Sequence, residues 1–374
     1  MCNGQTFRNF HRHHSRIWRN LWKRLLTVLG IRGKPIMSDI LSNLANQEIS
    51  LAINETKLLF EINQYTIRQL NKEEFLPLKG LSISMFRQVW LAHSRKDGRI
   101  YVIKRIFKKF YEQWKKQKIY HREVRMLAAF KNPFIVSVFG TFDFGPYQYI
   151  CYEYLGGGTL NHLLEERLRL DEEMSQHISA QIILAFQYLH GLDIAYRNLN
   201  PDTVVFDRHG YVRLIDFQLT RVIQPHTHAQ TIKGDIFYCP PEVILRLGHS
   251  LPVDWWSLGT LIYEMIAGYS PFFQNEGHMT LRAAANGQYR RFPSHFSESV
   301  KDLLRSLLEQ HPTRRLGSQG GDAEEIKEHL WFLGFNWNDI YSKDPRKALY
   351  RPRLKNDNDT THFDLPNQKL FDTF

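Results

Sequence analysis

The chain has 374 residues, 43% of them hydrophobic and 13% aromatic, which excludes a disordered or collagen-like protein and leaves enough apolar material for a substantial core. Its three cysteines, Cys2, Cys151 and Cys239, show no C-x-x-C spacing, which argues against a disulfide framework or a zinc site and for a reducing compartment. The net charge of +11 is concentrated at one end: residues 1–38 carry eight Lys/Arg and no Asp or Glu, leaving +3 for the rest, so the globular part has no basic excess suited to nucleic acid.

In the basic segment Ile17, Trp18, Leu21, Trp22, Leu25, Leu26 and Leu29 recur at three- and four-residue spacing, with Arg16, Arg19, Lys23 and Arg24 between them. The spacing predicts an amphipathic helix with a basic face. Such a helix suits an anionic membrane surface or calmodulin, bound through residues 16–29. Packing on the body of the protein and removal as a mitochondrial transit peptide are competing readings. Met1-Cys2 lacks the second-position glycine of a myristoylation signal. A cytoplasmic location, with membrane association through this segment, is the expectation.

Residues 39–74 read as a helical linker with Leu51, Leu58, Leu59 and Ile62 as apolar points. From 75 to 154 the pattern is β-type, as in Ile100-Tyr101-Val102-Ile103-Lys104, interrupted by one charged helical stretch from about Gln113 to Phe130. From 155 to 332 the chain reads mainly helical: Ile178, Ile182, Ala185, Phe186 and Leu189 mark one apolar helix, and Leu258, Leu261, Ile262, Met265 and Ile266 another. The expected class is α+β, with a small antiparallel β-rich lobe carrying one helix, followed by a larger helical lobe and a tail over 333–374. No apolar run reaches the roughly 18 residues of a membrane-spanning helix.

Lys104 lies within an apolar strand, and Glu123 follows on the next helix. A lysine so placed needs an anion near its ammonium, which Glu123 can supply, unless the side chain reaches out to solvent. Further on come Tyr196-Arg197-Asn198-Leu199-Asn200-Pro201-Asp202-Thr203, Asp216-Phe217-Gln218, Tyr238-Cys239-Pro240-Pro241-Glu242, Asp254-Trp255-Trp256 and Arg314-Arg315-Leu316-Gly317. Their order and spacing resemble a eukaryotic protein kinase. Gly268-Tyr269-Ser270-Pro271-Phe272-Phe273, Arg291-Phe292-Pro293 and the terminal Phe371-Asp372-Thr373-Phe374 narrow the resemblance to the AGC group, and within it to cAMP-dependent protein kinase catalytic subunits.

The resemblance implies a bilobal kinase fold over 75–332, Mg-ATP as cofactor, no structural metal, and a set of roles taken from the family's mechanism. Val89, Lys104, Glu123, Glu153, Leu155, Val205 and Asp216 would contact nucleotide, and Asp216 would hold metal. Asp202 and Glu264 would recognise arginine in a substrate. Thr231 would be the activation-segment phosphosite and Arg197 would receive its phosphate. Leu127, Val138, Tyr196 and Phe217 would stack between the lobes, while Glu242–Arg315 and Asp254 would anchor the helical lobe.

Other positions depart from the pattern. The glycine-rich loop becomes Ser82-Ile83-Ser84-Met85-Phe86-Arg87, placing side chains where glycine lets the backbone approach phosphates, although Arg87 can itself contact a phosphate. The proton acceptor becomes Asn198, the phosphate-contacting lysine Asn200, and the second metal ligand Thr203. Val102 and Tyr152 add volume at the adenine site, and Thr159 replaces a ribose-contacting glutamate. Gln230 replaces the tryptophan that docks a regulatory subunit, which argues against that partner. Architecture is kept and phosphotransfer chemistry is altered. The leading expectation is a pseudokinase acting as a binding or regulatory scaffold for a protein partner; the alternative is a weak ATP-dependent serine/threonine kinase acting on basic peptides.

Overall fold

The computed structural model describes residues 67–83, 87–109, 117–223, 235–248, 250–356 and 358–363. The basic amphipathic segment, Thr231, Gln230 and the terminal F-x-x-F lie outside the described residues. Of the helical linker expected over 39–74, only 67–74 are described. They are extended, with one 3-10 turn at Lys72–Glu74, because Leu70 N–H and the Arg68 carbonyl pair with Thr141 at 2.9 Å each instead of closing helical turns.

Five antiparallel strands follow: β1 (Phe75–Ile83), β2 (Arg87–Ser94), β3 (Ile100–Phe107), β4 (Val138–Phe144) and β5 (Tyr147–Glu153), in the spatial order β1-β2-β3-β5-β4. Residues of β3 are buried on both faces. On one face a small core forms from Phe75, Tyr101, Phe142 and Tyr149, with the Phe142 and Tyr149 rings stacked at 4.5 Å. On the other face Ile106, Ile150 and Tyr152 join the main core, to which Val124, Met126 and Leu127 of α1 (Gln117–Ala129) also belong. The β1–β2 pairing shifts register twice, between Pro77 and Lys79 and between Gly80 and Ser82. Such bulges re-aim the strand end that precedes the altered loop.

The larger part is helical. α2 (Leu160–Arg167) is capped by Thr159, whose hydroxyl accepts from His162 N–H. α3 (Glu172–His190) is capped by Asp171 in the same way, accepting from Met174 N–H at 2.7 Å. Short strands β6 (Ile194–Ala195), β7 (Val204–Phe206), β8 (Val212–Leu214) and β9 (Arg221–Val222) form two hairpin-like pairs beneath the sheet. α4 (Pro241–Ile244) starts on a proline, which costs no hydrogen bond at that position.

α5 (Val253–Ala267) is apolar around most of its circumference and buried accordingly, and it stops at Gly268, whose φ of 84° suits a residue without Cβ. α6 (Gly277–Ala285) and α7 (Glu298–Leu307) pack against it, while α8 (Ala323–Lys327) and α9 (Trp337–Ser342) pack on α3. The tail then returns towards the sheet: Tyr350 packs on Phe206 at 4.6 Å, and Tyr154 of the segment joining the two parts donates its hydroxyl to the Asp359 carbonyl. The result is the α+β bilobal arrangement expected from sequence.

Candidate functional site

A cavity of about 640 Å³ opens between the sheet and the helical part. Its size falls in the range of small-molecule sites. Val89 and Val102 line it from β2 and β3, Leu155 from the connecting segment, and Val205 and Ile215 from below. Lys104, Glu123, Glu153 and Asp216 also face it, so all seven residues assigned to nucleotide meet at one cavity. Val102 and Tyr152, the residues expected to add volume at the adenine site, both line the cavity. The Tyr152 hydroxyl donates to Glu123 Oε1 at 3.3 Å.

The polar end is built on a buried ion pair. Lys104 Nζ donates to Glu123 Oε1 at 3.0 Å and Oε2 at 3.3 Å, with the lysine 5% and the glutamate 1% exposed. The ammonium therefore does not reach solvent. Burial alone would lower the Lys104 pKa, but the Glu123 and Asp216 carboxylates more than offset this and hold it above its ordinary value. Glu153, by contrast, is engaged at the rim, where it accepts from Ser137 N–H at 2.7 Å and faces Arg213 at 3.6 Å.

Asp216 sits in a left-handed conformation, φ 57°, at the end of the stretch that follows β8. Its Oδ1 lies 3.6 Å from Lys104 Nζ, and its Oδ2 accepts from Arg87 Nη1 at 3.2 Å. Burial pushes the Asp216 carboxyl up, but Lys104 and Arg87 outweigh burial and keep it below the usual range, so it is a carboxylate at neutral pH. Arg87 occupies the last glycine position of the altered loop. Its guanidinium reaches the carboxylate that the family resemblance assigns to metal, a contact the sequence reading did not anticipate. Phe217 is buried between Phe130 and Tyr196, at 5.8 and 5.0 Å, and shares the core with Leu127 while Val138 packs against it.

The loop of Asn198, Asn200 and Thr203 is closed on itself. Asn198 Nδ2 donates to the Asp216 carbonyl at 2.9 Å. Asn200 Oδ1 accepts from Asp202 N–H at 3.0 Å and Thr203 N–H at 3.2 Å, while its Nδ2 donates to the Asn198 carbonyl at 3.3 Å. The Thr203 hydroxyl lies 2.8 Å from the Asn198 carbonyl and 3.0 Å from that of Asn200. These side chains hold the loop's shape through hydrogen bonds to backbone.

Fit to two magnesium ions is poor. Magnesium requires a near-ideal octahedron of oxygens, whereas here Asp216 Oδ2 already accepts from Arg87, only its Oδ1 is left without a hydrogen bond, and the Thr203 hydroxyl is used within the loop. The apolar walls of the cavity suit a planar base.

Beside the loop lies an acidic group. Asp202 is pushed up by burial and by the charges of Asp235 and Glu165. Glu264 is also pushed up, first by burial and then by Asp235 and Asp202, against the hydrogen bond it accepts from Tyr238. Carboxylates held this way favour an incoming cation. Asp235 belongs to the group through its charge. Arg197, with φ 65°, lies against a small adjoining pocket with Cys239 and Tyr238; its proposed phosphate donor Thr231 is outside the described residues.

Below the site, Asp254 accepts from Tyr196 N–H and Arg197 N–H at 2.7 Å each and faces His190 Nε2 at 3.0 Å. Glu242 and Arg315 form a buried two-armed pair at 2.7 and 2.9 Å. At the mouth of the cavity, His362 and Phe363 of the tail join the lining, and Phe363 lies 6.0 Å from Tyr154.

Comparison with known proteins accords with this geometry. The protein kinase domain family matches residues 85–332. The cAMP-dependent protein kinase type 3 of Saccharomyces cerevisiae is 32% identical over 298 residues, covering 80% of this chain and 74% of its own. The human cAMP-dependent protein kinase catalytic subunit PRKX is 31% identical over 301 residues, covering 80% of this chain and 83% of its own. The cAMP-dependent protein kinase catalytic subunit of Dictyostelium discoideum is 30% identical over 297 residues, and the match spans 45% of that longer protein.

Proposed function

The chain belongs to the protein kinase family, and we propose that it serves there as a pseudokinase: a relative of the cAMP-dependent kinases that binds or regulates a protein partner in phosphorylation signalling without efficient phosphotransfer of its own. The observation that carries this reading is the Arg87–Asp216 contact at 3.2 Å. The carboxylate needed to anchor a metal under the phosphates is neutralised from within the chain. Asn198 adds a second deficit. A neutral amide cannot accept the substrate's hydroxyl proton, and loss of a general base typically costs about 10² to 10⁴ in rate. Asn200 adds a third, since no ammonium stands at its position to face the transferring group. These deficits act on one transition state, so their effects compound.

The test is a phosphotransfer assay of the purified full chain on an arginine-rich peptide, with ATP and either magnesium or manganese. Turnover no greater than that of Asp216→Ala is expected. Turnover that disappears in Asp216→Ala would overturn the proposal.

That overturning result would establish the second reading, a weak serine/threonine kinase acting on basic peptides. Two observations favour it: the Lys104–Glu123 pair is fully formed beside an open cavity, and the Asp202, Asp235 and Glu264 carboxylates can receive a basic side chain. Loose phosphoryl transfer depends on positioning and charge more than on a base, which gives this reading its physical footing.

A further inference from the structure

We propose that His162, Glu166 and His362 form a binding site for a borderline divalent transition metal of the zinc type, which clips the C-terminal tail to helix α2 at the mouth of the interlobe cavity. One donor atom from each of the three side chains lies within 4.8 Å of the other two. Two imidazoles and one carboxylate are the donor set that suits zinc, leaving a fourth position for water.

Each donor has a reason to be where it is. His162 and Glu166 are four residues apart on α2, so they project from one face, and His162 Nε2 already lies 3.5 Å from Glu166 Oε1. Ligand atoms around a tetrahedral ion with bonds of roughly 2.0–2.1 Å stand about 3.4 Å apart. The helical pair therefore has the separation a metal needs, and only the tail imidazole must close in, by up to about 1.4 Å from the 4.8 Å limit on that same geometry.

His362 is prepared for ligation. One of its ring nitrogens, Nε2, lies 3.1 Å from the Arg353 carbonyl. A carbonyl can only accept, so Nε2 carries the proton in this contact and ligation by His362 would go through Nδ1. A second ring nitrogen donating to a backbone carbonyl is the outer-shell arrangement that orients metal-binding histidines.

The tail segment is itself fixed. Lys79 Nζ donates to the Thr360 carbonyl at 2.9 Å, and Thr361 N–H donates to Asp359 Oδ1 at 3.0 Å. Gly158, at φ +79°, lets this segment approach: a Cβ there would lie 2.9 Å from His362 Cβ. A metal at this point would hold His362 and Phe363 across the cavity entrance, which both residues line. The inference does not use Asp216 or Asn198 and stands apart from the pseudokinase reading.

The test uses the full chain, stripped by chelator and titrated at about pH 7.5, where ordinary imidazoles are neutral. Cobalt(II) serves as optical probe and zinc(II) as competitor. The expected result is a visible cobalt band that zinc displaces, with affinity at least tenfold weaker in His162→Ala and in His362→Ala, and intermediate in Glu166→Gln. His11, His13 and His14 offer a rival donor cluster in the basic segment. The triple His-to-Ala variant at those positions is expected to keep the band. Zinc is also expected to raise the melting temperature of the parent chain and not that of His362→Ala, whose part-exposed side chain can be removed without opening the core. No binding at all, binding unchanged in both single-histidine variants, or binding lost only in the triple variant would each overturn the proposal.

Discussion

Replacing Arg87 by alanine should make the cavity more responsive to a divalent metal. The magnitude follows from the contact. Two unit charges 3.2 Å apart attract by about 5 kcal/mol at an effective dielectric constant near 20. Solvent reduces that figure, because the Arg87 side chain is 37% and that of Asp216 24% exposed. Fully exposed pairs contribute up to about 1 kcal/mol, and hydrogen bonds to charged groups about 1.5–3 kcal/mol. A value near 1.5 kcal/mol is appropriate between them. A divalent ion seeking Asp216 must displace this interaction, which weakens its apparent affinity about tenfold. Arg87→Ala removes the competitor, so the apparent affinity for Mg-ATP should rise about tenfold while the free protein loses roughly 1.5 kcal/mol of stability, or a few degrees of melting temperature. The assay is thermal shift against ATP, with excess magnesium or with EDTA, on the parent chain and the variant. Bound nucleotide must raise stability by mass action. The gain in ATP response on adding magnesium should be larger in Arg87→Ala than in the parent. A parent response that requires magnesium and is unchanged in Arg87→Ala would refute the reasoning.

Two further predictions concern the helical part. His190 is buried between Asp254 and Asp322; burial would lower its pKa, but hydrogen bonds to both carboxylates raise it to about 9. A raised folded-state value means the stabilisation is fully present below the unfolded value near 6.5 and is lost as pH rises through 9. The shift corresponds to about 3 kcal/mol, so denaturant unfolding should show this decline in the parent and not in His190→Gln; a parent profile flat over that window would contradict it. Glu242→Gln leaves the Arg315 guanidinium, 0% exposed, without its counter-charge. Removing one partner of a buried pair typically costs about 3–5 kcal/mol, readable by urea unfolding; a loss below about 1 kcal/mol would show that the Pro252 and Glu309 carbonyls, at 2.9 and 3.1 Å, suffice for Arg315.

What sequence could show depended on how far each residue's role is set by its own neighbours along the chain. Strand β3 and helix α5 were readable because each is a nearly continuous apolar run, β3 of strand length and rich in β-branched residues, α5 long enough for a buried helix. Glu242, Asp254 and Arg315 were readable because each lies within a run of residues whose order resembles a known family. The Arg87 contact was not, since it joins residues 129 apart. Sequence revealed only that a glycine had been lost. The direction of the Tyr152 hydroxyl was hidden for a similar reason: strand alternation says which face a tyrosine occupies, but whether its ring closes a cavity or its hydroxyl reaches Glu123 depends on where α1 lies. Thr203 was legible as a weak metal ligand, whereas its use as an internal staple follows from the turn that brings two carbonyls to its hydroxyl.

The charge arrangement at the polar end connects these departures. Lys104 and Arg87 face Glu123 and Asp216, two cations against two carboxylates, within hydrogen-bonding or close ion-pair distance. A carboxylate beside a buried Lys–Glu pair is costly unless a further positive charge attends it. In the family's mechanism a metal ion supplies that charge when nucleotide arrives, and a glycine-rich loop leaves room for both. Here the residue that takes the glycine's place also brings the missing charge. The lost loop and the occupied carboxylate are thus one change seen from two sides. The polar end is electrostatically balanced by the chain alone, so its arrangement needs no nucleotide to hold it. A divalent ion entering this cluster would add surplus positive charge unless it displaced Arg87, which is why the Arg87→Ala titration bears on the whole reading of the site.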